Sequence, residues 1–208
     1  MKQYRKQSRL AAGALALALV AAACGSEDDE TSDTTSDAMD DGMAMNMGDA
    51  SATRADEVAG AALATGDFVL LDTRPQGFDS TTGTAWIARH PGGTTVTVEL
   101  ENLTPNTEFI SHVHANTCEN NGGDHYQFEV GGSENPPNEI HLAFTSDADG
   151  NGFMTAENSQ IAGLEAVAFV VHPADLIDNK IACVDFAETE DGATAAAIEA
   201  GVDPATGS

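Results

Sequence analysis

A succession of short apolar segments separated by turn residues most restricts how this chain can fold. Residues 95–100 alternate strictly, so that Val96, Val98 and Leu100 share one face of a β-strand. Similar short segments lie at residues 68–71, 84–88, 109–114, 140–144, 167–172 and 181–184. Many short strands at this spacing predict an all-β fold, an antiparallel sandwich or barrel, with one core over residues 53–187.

The first residues have the pattern of an export signal. Four basic residues among the first nine precede an apolar run, residues 10–20, that is too short to span a bilayer comfortably. Small residues then lead to Cys24, which looks like the cysteine of a bacterial lipobox. We therefore predict a signal peptide over residues 1–23 and a lipidated Cys24. The anchor would hold the protein at the outer face of the cytoplasmic membrane, in the cell envelope. Ordinary secretion with an incidental cysteine is the alternative.

Residues 24–52 are acidic and contain almost no large apolar side chains, which predicts a disordered tether. Within it Met43, Met45 and Met47 are close enough for their thioethers to hold Cu(I), because soft ligands prefer this ion. A low-complexity linker without a function is the alternative. The Ala-rich residues 52–65 and 188–201 predict short peripheral helices, and residues 188–208 form an acidic tail.

The charge balance excludes some classes of partner. All 34 acidic residues follow Cys24, and only Arg54, Arg74, Arg89 and Lys180 are basic in that part of the chain. The net charge after Cys24 is therefore about −30, with histidines neutral. Such a charge argues against nucleic acid or anionic lipid as a partner.

The three cysteines predict one disulfide. If Cys24 carries lipid, then Cys118 and Cys183 remain as a pair in an oxidising compartment. Their disulfide would join a loop in the middle of the domain to its last strand.

Two histidines one residue apart, His112 and His114, end an apolar stretch. Residues i and i+2 of a β-strand point to the same face, so these two imidazoles can bind one ion. Two more histidines from distant parts of the chain would complete an all-nitrogen ligand set, which suits copper or zinc.

An ordered set of motifs resembles the copper/zinc superoxide dismutase family. The motifs are His112-Val113-His114, Cys118, Gly122-Gly123-Asp124-His125, Val170-Val171-His172 and Ala182-Cys183. The resemblance covers roughly residues 66–187. It implies an eight-stranded Greek-key β-barrel, copper bound by His112, His114, His125 and His172, and superoxide as the substrate. The alternatives are a copper-binding lipoprotein that stores or delivers copper without catalysis, and a barrel retained for adhesion or envelope structure.

The zinc site of that family is predicted to be incomplete in this chain. Asp124 interrupts the Gly-Gly-His motif, and only His141 lies between His125 and His172. A structural zinc requires four ligands, so the sequence looks more like the copper-only members. Three roles remain open for His141: a remnant zinc-type ligand, a group that hydrogen bonds to a copper ligand, or an ordinary surface histidine. His90, beside a turn, is predicted to be exposed.

Three charged residues near the last strands complete the candidate site. Lys180 lies where the family has an arginine that guides the substrate anion, although a solvated surface lysine is the alternative. Asp175 and Asp178 follow His172 and are candidates to accept a hydrogen bond from a ligand imidazole. Residues 147–152 match half of a calcium-binding loop, but they are predicted to form a hairpin turn.

Overall fold

The computed structural model describes residues 46–189, and this part of the chain is nearly all β. The helical elements among the described residues are two single 3-10 turns, Ala55–Glu57 and Cys118–Asn120. No helix in this part of the chain is long and apolar enough to cross a membrane. The strands are β1 (Ala62–Asp67), β2 (Val69–Leu70), β3 (Thr82–His90), β4 (Gly93–Glu101), β5 (Glu108–His114), β6 (His141–Thr145), β7 (Gly152–Asn158), β8 (Ala168–Pro173), β9 (Ala182–Asp185) and β10 (Ala187–Glu188).

These strands form two antiparallel sheets of five strands each. The first sheet has the order β10-β1-β3-β4-β7, and the second has the order β2-β9-β8-β5-β6. Strand β8 returns to pair with β5 rather than with its predecessor β7, which is a Greek-key connection. The predicted antiparallel all-β fold is confirmed. Eight strands have four or more residues, and the other two, β2 and β10, have two residues each.

The core lies between the two sheets. The alternating residues Val96, Val98 and Leu100 of β4 are at most 1% exposed, and they belong to one apolar cluster with Phe109 of β5 and Phe169 of β8. Removal of such side chains from water is the main favourable contribution to folding. The alternation that the sequence shows in β4 therefore marks the face of the strand that packs in this core.

The outer face of the first sheet is also covered, by the residues that precede β1. The Ala55 N–H donates to Thr97 Oγ1 of β4, and the Arg54 guanidinium lies 5.0 Å from the Trp86 ring centre and 5.5 Å from that of Phe153. Arg54 also pairs with Glu99. Because of this cover, both faces of β4 are largely buried.

The predicted helix over residues 52–65 is wrong. The structure has only the 3-10 turn Ala55–Glu57, after which β1 pairs with β3 along six residues. An alanine-rich composition favours helix only weakly, and the burial of Ala64 between the sheets outweighs it. Of the second predicted helix, residues 188–201, Glu188 belongs to β10, which pairs with β1, and residues 190–201 lie outside the described residues.

The folded domain begins earlier than the composition predicts. Residues 46–52, assigned to the tether, are hydrogen bonded to the sheets: the Ala143 N–H donates to the Met47 carbonyl, and the Asp49 N–H donates to the Thr155 carbonyl. These contacts use backbone groups, which polar and small residues provide as well as any others. The signal peptide, Cys24, Met43, Met45 and residues 190–208 lie outside the described part of the chain.

Candidate metal centre

The four histidines of the ordered motifs meet on the outer face of the second sheet. Alternate residues of β5, such as Phe109 and Val113, point into the core, so His112 and His114 point to the opposite face. Strand β8 pairs with β5 and brings His172 to the same face, next to Ile110. His125 arrives on the long loop between β5 and β6. One ring nitrogen from each of the four lies within 4.8 Å of those of the others.

Loops bury this face of the sheet, although it points away from the core. His112, His114 and His172 are each at most 2% exposed, whereas the His125 side chain is 32% exposed. The ring centres of His112 and His125 are 4.0 Å apart, and those of His114 and His125 are 4.8 Å apart. The cluster is therefore closed on the sheet side and reachable from solvent on the side of His125.

The loop can close over His114 because of Gly122. Its φ is +74°, and a Cβ atom there would lie 2.7 Å from Val170 Cγ2 and 3.0 Å from His114 Nδ1. A side chain at residue 122 would therefore have to displace Val170 and the His114 ring. The next carbonyl, that of Gly123, accepts a hydrogen bond from His114 Nδ1 at 3.2 Å. The Gly-Gly motif thus both permits the close approach of the loop and orients one imidazole.

Three buried imidazole nitrogens of the cluster have no hydrogen-bond partner. They are His112 Nδ1, His114 Nε2 and His172 Nε2. A buried polar atom without a partner costs about 1–3 kcal/mol, so three of them in one place fit a site that binds a ligand. The second nitrogens of His114, His125 and His172 donate to the Gly123 carbonyl, the Glu139 carboxylate and the Ile177 carbonyl. This is the arrangement that metal-binding histidines have, and the all-nitrogen set fits copper or zinc.

The three buried imidazoles of the cluster are electrically neutral near pH 7. Burial lowers the pKa of His114 to about 3 and that of His172 to about 4, and it also lowers the pKa of His112. Protonation of one imidazole would place a charge among the others and away from water. Their lone pairs are consequently free to bind a cation.

A buried carboxylate that the sequence analysis missed supports the cluster. Glu139 Oε2 accepts hydrogen bonds from His125 Nδ1 at 2.7 Å and from His141 Nε2 at 2.9 Å, and Gln127 donates to Oε1. Burial acts to raise the Glu139 pKa, but the hydrogen bonds from these three residues lower it below its ordinary value. The available signal was the spacing of Glu139 and His141, which is the same i, i+2 pattern as His112 and His114.

Of the roles left open for His141, that of a surface histidine is wrong. It is 6% exposed, lies opposite His112 across the β5–β6 pair, and its ring centre is 4.3 Å from that of His112. With His125 and Glu139 it forms a second group of three potential metal ligands. In the described residues this group lacks the fourth ligand that a structural zinc requires.

The carboxylates predicted to orient a ligand are elsewhere. Asp175 and Asp178 are exposed, and the atom that accepts the hydrogen bond from His172 Nδ1 is the Ile177 carbonyl, at 2.7 Å. A backbone carbonyl provides this contact without a charged side chain, which is why the Asp residues gave a misleading signal.

Lys180 lies beside the cluster and is partly buried. Its ammonium donates to the carbonyls of Asn121 and Gly123, at 2.7 and 3.1 Å. It shares with His114, His125 and Glu139 the lining of an open cavity of about 1010 Å³. Burial lowers the Lys180 pKa, although Asp124 acts in the opposite direction. Lys180 is thus held over the loop that carries His125.

Two other features singled out in the sequence, His90 and the turn at residues 147–152, make contacts within the framework of the fold. His90 ends β3, where its ring contacts Thr95 Oγ1 and accepts the Gly92 N–H; it is half-buried rather than exposed and lies outside the cluster. Asp147 accepts hydrogen bonds from the N–H groups of Asp149 and Asn151, which makes the predicted turn.

The predicted disulfide between Cys118 and Cys183 is confirmed, and it ties the loop that carries His125 to β9. It closes a loop with a sequence separation of 65 residues. We expect the double variant Cys118→Ser/Cys183→Ser to lose about 4 kcal/mol of folding free energy, because the cross-link restricts the unfolded chain. Urea unfolding of the metal-free protein measures the loss. Cys24→Ser is the control; an equal loss in both variants would assign the effect to something other than the cross-link.

Fold and site together define a two-sheet antiparallel β protein with a buried four-histidine cluster that is capable of binding a metal ion. Among solved structures, the chain is similar to the Cu/Zn superoxide dismutase from Brucella abortus, with 24% sequence identity and a TM-score of 0.44. The likeness covers 59% of this chain and 98% of that chain. No family model and no curated protein matches the sequence.

Proposed function

We propose that this protein is an extracytoplasmic, copper-dependent superoxide dismutase that converts superoxide to O2 and H2O2. The observation that carries the proposal is the convergence of four imidazoles, three of them with buried nitrogens that lack partners, beside an open cavity. The ordered motifs of the sequence support the same reaction.

Copper would be held by His112 Nδ1 and by the Nε2 atoms of His114, His125 and His172. His125 is assigned to Nε2 because its Nδ1 already donates to Glu139. Bound copper supplies two oxidation states, so that one superoxide can lose an electron and a second can gain it together with two protons. The hydrogen bonds to Gly123, Ile177 and Glu139 would keep these imidazoles oriented toward the copper ion.

The decisive experiment loads the protein with copper and measures superoxide removal per bound ion. Zinc-loaded protein is the control, since zinc does not change its oxidation state in proteins. Superoxide removal by the copper form alone supports the proposal. A protein with full copper occupancy and no activity would instead be the copper-binding lipoprotein that stores or delivers copper. The run of methionines that leads directly into the domain favours that second candidate.

Lys180 is proposed to attract the substrate anion. The chain after Cys24 carries a net charge of about −30, but charges farther than roughly 8 Å are screened at physiological ionic strength. A cation that lines the same cavity as His125 can therefore dominate the last part of the approach.

We expect Lys180→Gln to lower kcat/KM for superoxide by about tenfold at low ionic strength and to flatten its salt dependence, because electrostatic steering is lost. Lys180→Arg keeps the charge and should retain most of the rate. Arg54→Gln removes the same charge from the outer face of the other sheet. An equal decrease in Lys180→Gln and Arg54→Gln would assign the effect to the net charge of the chain and not to a local cation.

Glu139 is proposed to strengthen metal binding by holding His125. We expect Glu139→Gln to weaken copper affinity by about 10- to 100-fold, as the loss of such a supporting group does in metal proteins. Titration against a competing chelator measures the change. Glu134→Gln is the matched control, since this exposed residue lines the same cavity. Unchanged affinity in Glu139→Gln would show that the carboxylate does not support the ligand.

We also propose that Cys24 carries a lipid and anchors the protein at the cell envelope. The disulfide supports a location outside the reducing cytoplasm. Mass spectrometry of the N-terminal peptide from membranes tests the anchor: a diacylglyceryl group on Cys24 is expected, and an unmodified cysteine on secreted protein would contradict it.

A further inference from the structure

The open cavity beside the histidine cluster is acidic. Four carboxylates line it, those of Asp124, Glu134, Glu139 and Glu165, and among the described residues Lys180 is the one cation that does. One positive charge therefore stands against four negative charges, with histidines neutral. A lining of this charge opposes the approach of a superoxide anion and attracts a metal cation.

Two of these carboxylates have no part in the internal contacts of the fold. Glu134 and Glu165 are exposed, and neither side chain forms a hydrogen bond or an ion pair within the part of the chain that the structure describes. Glu134 belongs to the loop between β5 and β6, and Glu165 to the segment between β7 and β8. Two separate parts of the chain thus bring negative charge to one cavity, where both charges are free to act on an incoming ion.

The segment that carries Glu165 is fixed in place. Arg89 donates hydrogen bonds to three backbone carbonyls within residues 162–166, at 3.0, 3.3 and 3.1 Å. Tyr126 Oη accepts the N–H of Gly163 at 2.9 Å, which joins the segment to the loop of the exposed histidine ligand. Glu165 is consequently held beside the cavity by the packing around it.

The cavity ends on an imidazole nitrogen that has no partner. His114 lines the cavity and is completely buried, and its Nε2 forms no hydrogen bond to any described residue. His125, the exposed histidine of the cluster, lines the same cavity. The lone pair of a neutral imidazole binds a cation and not an anion. The cavity therefore joins exposed carboxylates to the ligands of a metal ion.

We propose that Glu134 and Glu165, together with Asp124, attract the copper cation into this cavity and speed its capture by His125 and His114. The inference rests on the copper site of the proposed function. It gives the charges of the cavity opposite tasks, since the carboxylates serve metal uptake and Lys180 serves the approach of superoxide. In the capture step the ion exchanges water ligands for imidazole nitrogens, and its oxidation state does not change.

The test measures how fast the metal-free, disulfide-intact protein takes up copper. The protein is mixed in a stopped-flow instrument with less than one equivalent of hydrated Cu(II) in a buffer that does not bind copper, and the absorbance of the copper–imidazole site is followed. Because electrostatic attraction raises association rates by about 10- to 1000-fold, Glu134→Gln/Glu165→Gln should slow uptake by about tenfold at low ionic strength. The difference should disappear near 1 M salt, where charges are screened beyond about 3 Å.

Glu57→Gln/Glu101→Gln is the matched control, because it removes the same charge from other places. Glu57 belongs to the first 3-10 turn, and Glu101 ends β4 and lines a separate cavity. This variant should take up copper at nearly the unaltered rate. Equal slowing in the two double variants would assign the effect to the net charge of the chain and would overturn the inference.

Copper release separates attraction from ligation. Release into an excess of chelator depends on the bonds between copper and the imidazoles, so Glu134→Gln/Glu165→Gln should release copper at the unaltered rate. Glu139→Gln should release it faster, because it loses the support of His125. Faster release from the double variant would mean that its carboxylates hold the bound ion, and the inference would be wrong.

The same two charges should act on superoxide with the opposite sign. Coulomb energy is proportional to the charge of the incoming ion, so a tenfold effect on Cu(II) corresponds to roughly a threefold effect on a singly charged anion. The copper-loaded double variant should therefore show kcat/KM for superoxide raised by about threefold, and Lys180→Gln should take up copper faster than the unaltered protein. A lowered kcat/KM in the double variant would contradict the inference. If the copper-loaded protein removes no superoxide, the proposed function fails, while the uptake rates still decide the inference.

Discussion

Replacement of His172 by alanine is expected to reduce superoxide removal by more than about 100-fold, even after incubation with excess copper. Loss of a group that merely supports a ligand weakens metal binding by about 10- to 100-fold, and His172 would be a ligand itself. Its Nε2 is one of the three buried nitrogens without a partner. Stopped-flow measurement of superoxide decay, normalised to protein, gives the loss of activity.

His90→Ala is the matched control for this variant. His90 is a half-buried histidine at the end of β3, and its contacts are with Thr95 and Gly92. Activity and copper content should be those of the unaltered protein. Should His172→Ala bind one copper ion with an unaltered electron paramagnetic resonance spectrum, His172 is not a ligand and the proposed site is wrong.

Between pH 7 and pH 4 the metal-free domain is expected to lose on the order of 6 kcal/mol of folding free energy through His114 and His172. Burial lowers their pKa values from 6.5 to about 3 and about 4. Below pH 6.5 the unfolded chain binds protons that the folded chain excludes, so acid favours unfolding. The contribution is complete above pH 6.5 and disappears as the pH falls through 4 towards 3.

Urea unfolding at half-unit pH intervals measures this slope, and His114→Gln is the comparison. This variant removes one of the two titrating groups and should lose about half of the pH dependence, roughly 3 kcal/mol over the same interval. The difference between the two curves isolates the contribution of His114 to the free energy of unfolding, because the many carboxylates are the same in both proteins. Parallel curves would show that His114 is not held neutral by the fold.

Local patterns predicted the strands well where one face is apolar and poorly where composition was the only guide. Strict alternation located β4, because Val96, Val98 and Leu100 face the core and share one side of a strand. The same period placed His112 and His114 on one face. The alanine-rich residues 52–65 misled, since alanine also fits a paired strand whose inner face lies in the core, as Ala64 of β1 does.

The supporting residues of the site could not be predicted in the same way. Glu139 was not among the predicted residues, and Asp175 and Asp178 were candidates for a role that the Ile177 carbonyl fills. In the structure Glu139 reaches His125 across 14 residues, and a backbone carbonyl serves His172. Such contacts depend on how a loop closes, which sequence spacing does not describe.

By itself the sequence determined the all-β class, the pairing of two cysteines, and the common face of His112 and His114, because these follow from side-chain periodicity and composition. Only the tertiary structure decided which imidazole nitrogens lack a partner and that Glu139 joins His125 to His141. The physical reason is that these contacts join strands and loops far apart in the chain. Their register is set by the packing of the two sheets and by the closing of the loop under its disulfide.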